Sequence, residues 1–319
     1  MHAVQEHSDD LYHDSRRTAL LGLLEYLRST DYAFTTVTPA THARIVTRPD
    51  RVRARTVRDA LGWSLPFSAE DLPRPLIDQL DQAGALVERG DGLFAATIRV
   101  SSVRGAMFLH SAFPTTAEDA VFLGPDSYRF ADLIVSRAGT QAGAILDYGT
   151  GAGVGGVTAA LAQPGSKLTL ADVNPKALFL ASVNAEFAGL DYQTVQATRP
   201  ADIGRTFDLI VTHPPFMMDA DHRAYRDGGD LFGGRLSLEW VVDGMAMLRP
   251  GGRLILHTGV SIVGGRDVLL DALRERIPAV GWRFDYHELD PDIFGDELDQ
   301  PAYAEVERIA AVGLVLTRS

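Results

Sequence analysis

The chain has no cysteine among its 319 residues, so it can form no disulfide and use no thiolate as nucleophile or metal ligand. That absence fits a cytoplasmic protein. No run of 18 apolar residues occurs either, so no membrane-spanning helix is expected. The opening stretch MHAVQEHSDDLYHDSRR is polar and acidic and lacks the apolar run of a signal peptide. The nine histidines are scattered without metal-ligand spacing, and no metal is expected. Positive charge is in deficit. The net charge is −12, and the deficit is uneven: residues 111–319 hold 17 basic and 28 acidic side chains, whereas residues 1–110 hold 13 and 14. Such a distribution lacks a broad footprint for a phosphate backbone, so a nucleic-acid partner is not expected. One stretch departs from it, where Arg44, Arg48, Arg51, Arg53, Arg55 and Arg58 fall within fifteen residues. It reads first as a solvated, arginine-rich helix with its preceding loop, and second as a contact for RNA or an acidic partner.

What is present is 46% hydrophobic residues, enough for one large domain or two smaller ones. Leu20, Leu21, Leu24 and Leu27 recur on one helical face, with Asp14 or Ser15 as N-cap. A second helix contains Thr56 to Leu61. A third runs from about Asp71 to Ala83, with Pro73 and Pro75 in its first turn and Gly84 just past its end. Leu86–Glu88 and Leu93–Val100 flank Arg89-Gly90-Asp91-Gly92 as a β-hairpin. Helices followed by a hairpin make a winged-helix-like N-terminal domain over residues 1–112. Its near-neutral charge suggests a substrate-capping or dimerising role, the latter implying a homo-oligomer. After the junction at His110–Thr116 the pattern becomes strand and helix in alternation. The strands are expected at 144–147, 167–172, 207–212, 253–258, 283–289 and 309–317, and the helices at 154–162, 175–188 and 236–248. Residues 113–319 are therefore expected to form an α/β, doubly wound parallel sheet that binds ligands at the carboxyl ends of its strands.

Three motifs carry the chemistry. Asp147-Tyr148-Gly149-Thr150-Gly151-Ala152-Gly153 follows an apolar strand and precedes a helix, where glycines let a ligand approach the backbone and free the helix-terminal N–H groups. Both G-x-G-x-G and the dinucleotide G-x-G-x-x-G fit this stretch, the latter through Gly156. Asp147 helps to decide between them, because a carboxylate suits an ammonium group and gives nothing to a pyrophosphate. Asp172 ends the next strand and can accept both hydroxyls of a ribose, whichever nucleoside carries it. It could instead cap the helix starting at Pro175, although Asn174 is better placed to do so. Third, the strand Phe207–Thr212 ends in His213-Pro214-Pro215-Phe216. Two prolines fix a stiff extended turn and hold the flanking side chains rigidly. A pyridine-nucleotide dehydrogenase has no use for that feature there.

The set DYGTGAG, LADVNP and VTHPPF resembles the class I S-adenosylmethionine-dependent methyltransferases of the "small" domain type. That group includes the protein-glutamine N5- and rRNA guanine-N2-methyltransferases, whose corresponding turn is Asn-Pro-Pro-Tyr/Phe. FPTTAEDAVFLGPDSYRF and AYRDGGDLFGGRLS look like a bacterial branch with a helical N-terminal domain. The resemblance implies a Rossmann-like seven-stranded sheet of order 3-2-1-4-5-7-6 with the seventh strand antiparallel, and S-adenosylmethionine as cofactor. It implies that Asp147, Tyr148, Gly149, Thr150, Gly151 and Gly153 lie along the methionine part. Asp172 would take the ribose, with Val173, Asn174, Thr198 and His213 completing the cofactor site. Three departures stand out. His213 replaces the amide-binding Asn, Tyr148 replaces a small aliphatic residue, and Thr198 stands near where relatives carry an adenine-contacting acid.

From these departures, methyl transfer to a small-molecule N or O acceptor in specialised metabolism is expected. His213 and Tyr225 are the catalytic candidates, and Tyr128, Phe216, Tyr225 and Arg226 would line the substrate pocket. Gly228, Gly229, Gly233 and Gly234 suggest a lid over it. Two alternatives stand. One is internal cyclisation of S-adenosylmethionine, needing no second substrate and giving azetidine-2-carboxylate and methylthioadenosine. The other is a nucleic-acid or protein methyltransferase that docks through the N-terminal domain.

Overall fold

The computed structural model describes residues 2–139, 141–219, 221, 223 and 225–319, and its first element is longer than the sequence pattern indicates. Helix α1 spans His2–Ser29, rather than starting at Asp14 or Ser15. Its apolar stripe begins only at Ala19, so the polar turns before it give no periodic signal. Leu20, Leu23, Leu24 and Leu27 are fully buried, and Arg16 Nε donates to the Ala83 carbonyl at 3.0 Å. Helix α2 (Pro39–Val46) is capped by Thr38, whose hydroxyl accepts from the Thr41 N–H. A capping box of Thr56 and Asp59 starts α3 (Val57–Leu61). Helix α4 (Arg74–Gln82) follows Pro73 and stops before Gly84, which takes φ +60°. Strands β1 (Leu86–Gly90) and β2 (Leu93–Ala96) form the expected hairpin. The chain then breaks at Thr97, and β3 (Ile98–Val103) pairs instead with β4 (Ala106–Ser111) in a second hairpin.

By its own contacts the chain divides into two compact units, Met1–Thr116 with Phe122–Pro125, and Ala117–Val121 with Asp126–Ser319. Helix α5 (Pro125–Arg137) belongs to the second unit from Asp126 on, and strands and helices alternate thereafter. In order come β5 (Ala144–Tyr148), α6 (Val154–Leu161), β6 (Lys167–Asp172), α7 (Pro175–Phe187), β7 (Tyr192–Gln196) and β8 (Phe207–Thr212). These lead to α8 (Arg235–Met247), β9 (Leu248–Val263), β10 (Arg266–Asp267), α9 (Val268–Arg276), β11 (Trp282–Asp290) and β12 (Arg308–Arg318). The sheet runs β11-β12-β9-β8-β5-β6-β7, with the two-residue β10 folded back on β9. Counted along the chain without β10, this is the order 3-2-1-4-5-7-6. Strand β12 is antiparallel to both neighbours and the central pairs are parallel.

Burial explains which strands the sequence displays. Strands β5, β6 and β8 lie inside the sheet and read as apolar runs. Strand β7 is an edge strand with sequence YQTVQ, mostly exposed, and its polar composition hides it. Strand β9 exceeds its expected six residues because it continues to pair with β12 as far as Ile262↔Arg308. Leu254, Leu256, Val260, Val312, Leu314 and Leu316 give that pair a continuous buried apolar core.

Candidate functional site

The carboxyl ends of β5, β6 and β8 meet at one rim, and there the chain turns through three glycines. Gly149, Gly151 and Gly153 take φ of +68°, +51° and +82°, a region side chains disfavour. The Gly149 and Thr150 N–H groups both donate to the Ala171 carbonyl, at 2.9 and 3.0 Å, and tie the loop to the end of β6. Asp147 is buried beneath it. Its Oδ2 accepts from the Thr150 hydroxyl at 2.7 Å and the Gly156 N–H at 2.8 Å. Burial pushes its carboxyl up to about 6, against these two hydrogen bonds. The Asp147 side chain, expected to meet an ammonium group, is thus engaged in anchoring the loop to the start of α6.

Asp172 sits one strand over and is nearly buried. Its Oδ2 accepts from the Gly151 N–H at 2.9 Å and its Oδ1 from the Asn174 N–H at 2.9 Å. Burial raises its carboxyl above the ordinary range while these bonds oppose the shift. Beside it Val173 is 46% exposed, an apolar face next to a carboxylate. Asn174 caps α7 by accepting from the Lys176 N–H at 3.0 Å, and its Nδ2 donates to the Asp119 carbonyl. Thr198 is exposed and donates to Asp202 Oδ2 at 3.0 Å, so Asp202 supplies an acid close to the position that Thr198 leaves without one. A loop with glycine at every second position, a carboxylate with two acceptor oxygens and an exposed aliphatic face fit a nucleoside bearing a short polar chain, as S-adenosylmethionine does.

Tyr148 differs from its expectation. It is 3% exposed, belongs to the core, and meets Trp240 edge-on at 4.5 Å between centroids. Burial first, and then the charge of Asp172, raise its phenol. A Cβ on Gly149 would strike the same Trp240 ring at 2.6 Å, so the indole lies directly against the loop.

At the end of β8, Thr212 Oγ1 donates to the Tyr148 carbonyl at 2.8 Å and sets the two strand ends side by side. The half-buried His213 follows, its Nδ1 2.8 Å from the His257 carbonyl and 3.1 Å from His257 Nδ1. Phe130 lies 5.6 Å from the His213 ring and Phe216 5.7 Å. Burial lowers the basicity of His213 and, more strongly, of His257, which β9 holds fully inside the protein. On α5, Asp126 is buried and pairs with Arg129, which also reaches Asp290. Tyr128, on the same helix, is half-buried.

The loop after Phe216 is laid back on the turn. Met217 N–H donates to Arg226 O at 3.0 Å and Gly228 N–H to Met217 O at 2.8 Å. Any Cβ on Gly228 or Gly233 would overlap the Gly233 or Phe216 carbonyl. These two glycines thus serve close packing, which differs from the expected hinges of a lid. Arg226 is occupied by ion pairs with Asp219 and Glu297, which corrects its reading as a pocket cation. Tyr225 is half-buried with the Arg223 guanidinium over its ring at 5.9 Å. Sequence reasoning missed Asp126, Phe130, Asp202, Trp240 and His257. Asp126 and Phe130 lie in the segment FPTTAEDAVFLGPDSYRF, which assigns them no role, the other three carry no motif, and only the fold brings His257, 44 residues downstream, to His213. A separate cleft of 670 Å³, lined by Lys167, Thr169, Arg205 and Arg249 among others, opens at the amino ends of the strands, away from this rim.

Residues 129–258 match the family described as "Methyltransferase small domain", so that segment has the family character expected from the motifs. The release factor glutamine methyltransferase of Deinococcus radiodurans is 32% identical over 160 residues, 48% of this chain and 55% of that protein. Ribosomal RNA small subunit methyltransferase C of Serratia proteamaculans is 28% identical over 144 residues, 39% of this chain and 42% of that protein. The chain spans about half the length of these curated relatives. The crystal structure of Trm5b from Pyrococcus abyssi shares the fold at 12% identity with a TM-score of 0.50, covering 79% of this chain and 69% of that one. These relatives overturn two expectations. A small-molecule acceptor in specialised metabolism, or S-adenosylmethionine as sole substrate, has no counterpart among proteins named for a release factor or ribosomal RNA. The expectation against a nucleic-acid partner fails on the same finding.

Proposed function

We propose that this chain transfers a methyl group from S-adenosylmethionine to a nitrogen of a macromolecule, protein or RNA. The observation that carries the reading is His213, half-buried on the Pro-Pro turn and held from β9, on the rim shared with the glycine loop and Asp172. The sulfonium of the bound cofactor supplies a methyl group already activated for transfer. The Gly149–Gly153 loop admits the polar chain of the cofactor, Asp172 accepts from its ribose, and Val173 offers its apolar face to the base. His213 then holds the acceptor N–H in line and takes its proton. Alignment and exclusion of water contribute the larger share of the acceleration, with proton removal adding to them. Phe130 and Phe216 flank the imidazole with apolar surface, which favours a flat acceptor such as a side-chain amide or an exocyclic base amine.

The division near residue 112 belongs to the same reading. The N-terminal unit, winged-helix-like in its order of helices and hairpin, docks the macromolecule, and the reaction takes place in the cytoplasm. The test is to incubate the full chain with tritiated-methyl S-adenosylmethionine and separate fractions of ribosomal RNA, transfer RNA, ribosomal protein and release factor. Label is expected in nuclease- or protease-sensitive material. Label confined to small molecules, with cofactor binding intact by calorimetry, would overturn the macromolecular acceptor.

A further inference from the structure

Two imidazoles meet at the rim in an arrangement that fixes where their protons lie. His213 Nδ1 is 2.8 Å from the His257 carbonyl oxygen. A carbonyl oxygen only accepts, so that nitrogen carries a hydrogen. The same Nδ1 is 3.1 Å from His257 Nδ1. Two N–H groups cannot face each other there, so His257 Nδ1 offers its lone pair and shares the same hydrogen. His257, kept neutral by burial, then carries its own proton on Nε2. That atom is buried without a hydrogen-bond partner among the described residues. On His213 the opposite follows: the Nδ1–H edge faces β9, and the Nε2 lone pair lies on the edge turned away from it. This is the less common tautomer of a free histidine, and the chain holds it through a neighbour 44 residues away.

We propose that His257 is a positioning residue, whose carbonyl and ring Nδ1 together lock His213 in the Nδ1–H tautomer and so present Nε2 as the proton acceptor for the target nitrogen. The inference rests on the methyltransferase reading above and adds a residue that the sequence motifs do not contain. The acceptor nitrogen forms its new bond to the methyl carbon as the carbon–sulfur bond breaks and its electron pair stays on sulfur. The nitrogen then gives a proton to Nε2, and the resulting imidazolium keeps its Nδ1–H on the His257 carbonyl until Nε2 releases the proton to water. Groups facing the pair are Asp126, Arg129 and Phe130 from α5 and Phe216 from the turn. Asp126 is close enough for its charge and that of His213 to act on each other, and it favours the transient imidazolium.

Two-bond proton–nitrogen correlation spectra of the full chain labelled with ¹⁵N-histidine read tautomers directly, without substrate. At neutral pH, one ring is expected as Nδ1–H and another as Nε2–H, assigned by their loss in His213→Gln and His257→Asn. Finding His213 as Nε2–H would overturn the proposal. The kinetic arm compares His257→Phe, which removes the ring acceptor, with His257→Asn, whose Oδ1 can take the place of Nδ1. The Phe variant is expected to lose at least tenfold in kcat while its cofactor Kd stays within twofold, and the Asn variant to recover most of the loss. Equal kcat losses in both, accompanied by weakened cofactor binding, would mean that His257 only supports the fold. A wild-type tautomer spectrum as expected but no methyl transfer to any macromolecule would instead remove the functional reading and leave the histidine geometry standing.

Discussion

The two carboxylates at the rim sit on adjacent strands and have different tasks, which measurements can separate. Asp147 is enclosed, accepts two hydrogen bonds from its own loop and is pushed up to about 6. Its folded value lies above the ordinary carboxylate value, so protonation favours the folded chain. The stability it contributes is fully present below about pH 4 and is lost as pH rises through about 6. Asp147→Asn keeps an acceptor and removes the charge. Relative to wild type, urea unfolding should show the variant gaining on the order of 1–3 kcal/mol between pH 4 and 7.5, the free energy that ionising Asp147 withdraws. Asp172, the ribose acceptor of the proposed function, keeps lone pairs for hydroxyl groups beside its two bonds to Gly151 and Asn174. Asp172→Ala should weaken S-adenosylmethionine binding by about 2–3 kcal/mol in calorimetry, the scale of charge-assisted hydrogen bonds to an enclosed ligand. Unchanged affinity in a folded variant would remove Asp172 from the ribose site.

At the scale of elements, the sequence displays what local chemistry dictates. The glycine loop, the Asn174 cap, the Pro-Pro turn and the buried strands β5, β6 and β8 all announce themselves through residue types that only such places require. Helix α2 escapes notice although Thr38-Pro39 signals it, because its eight residues leave little room for a periodic stripe. Edge strand β7 escapes it because one neighbour and open solvent demand no apolar run. The site is legible where it is contiguous and hidden where the fold assembles it: no pattern links Asp126 or His257 to a turn at residue 213. The glycine-rich loop after that turn is visible, but its purpose is not. Gly228 and Gly233 lie against backbone carbonyls, and Gly233 has φ +86°. Gly228→Ala should therefore cost about 2–4 kcal/mol in urea unfolding, with the loop displaced, since the neighbouring atoms are main chain and cannot rotate aside. A loss below about 0.5 kcal/mol, the scale of an ordinary surface substitution, would show the loop to be compliant.

For the whole molecule, charge divides the labour. Residues 111–319 are acidic, and the N-terminal unit holds the arginine-rich stretch. There Arg51 and Arg53 pair with Asp59 and Asp71, and Arg58 lies over Phe34, whereas Arg44, Arg48 and Arg55 are exposed. If the methyl label partitions into RNA, replacing these three arginines by glutamate should weaken RNA binding. It should also flatten the dependence of log K on log salt by about 2, since each single-strand phosphate that is no longer neutralised removes about 0.7 from the slope. An unchanged slope would place the RNA elsewhere.

His257 lies opposite Gly313 in the long β9–β12 ladder, with paired residues on both sides of it. Main-chain amides so placed open to solvent only when the sheet itself comes apart. Deuterium uptake at His257 and Gly313 should accordingly report the global unfolding free energy. The His213 imidazole sits on a turn, yet it is held by a carbonyl within that ladder. Heating should then remove turnover and structure at the same temperature, with no earlier loss of activity.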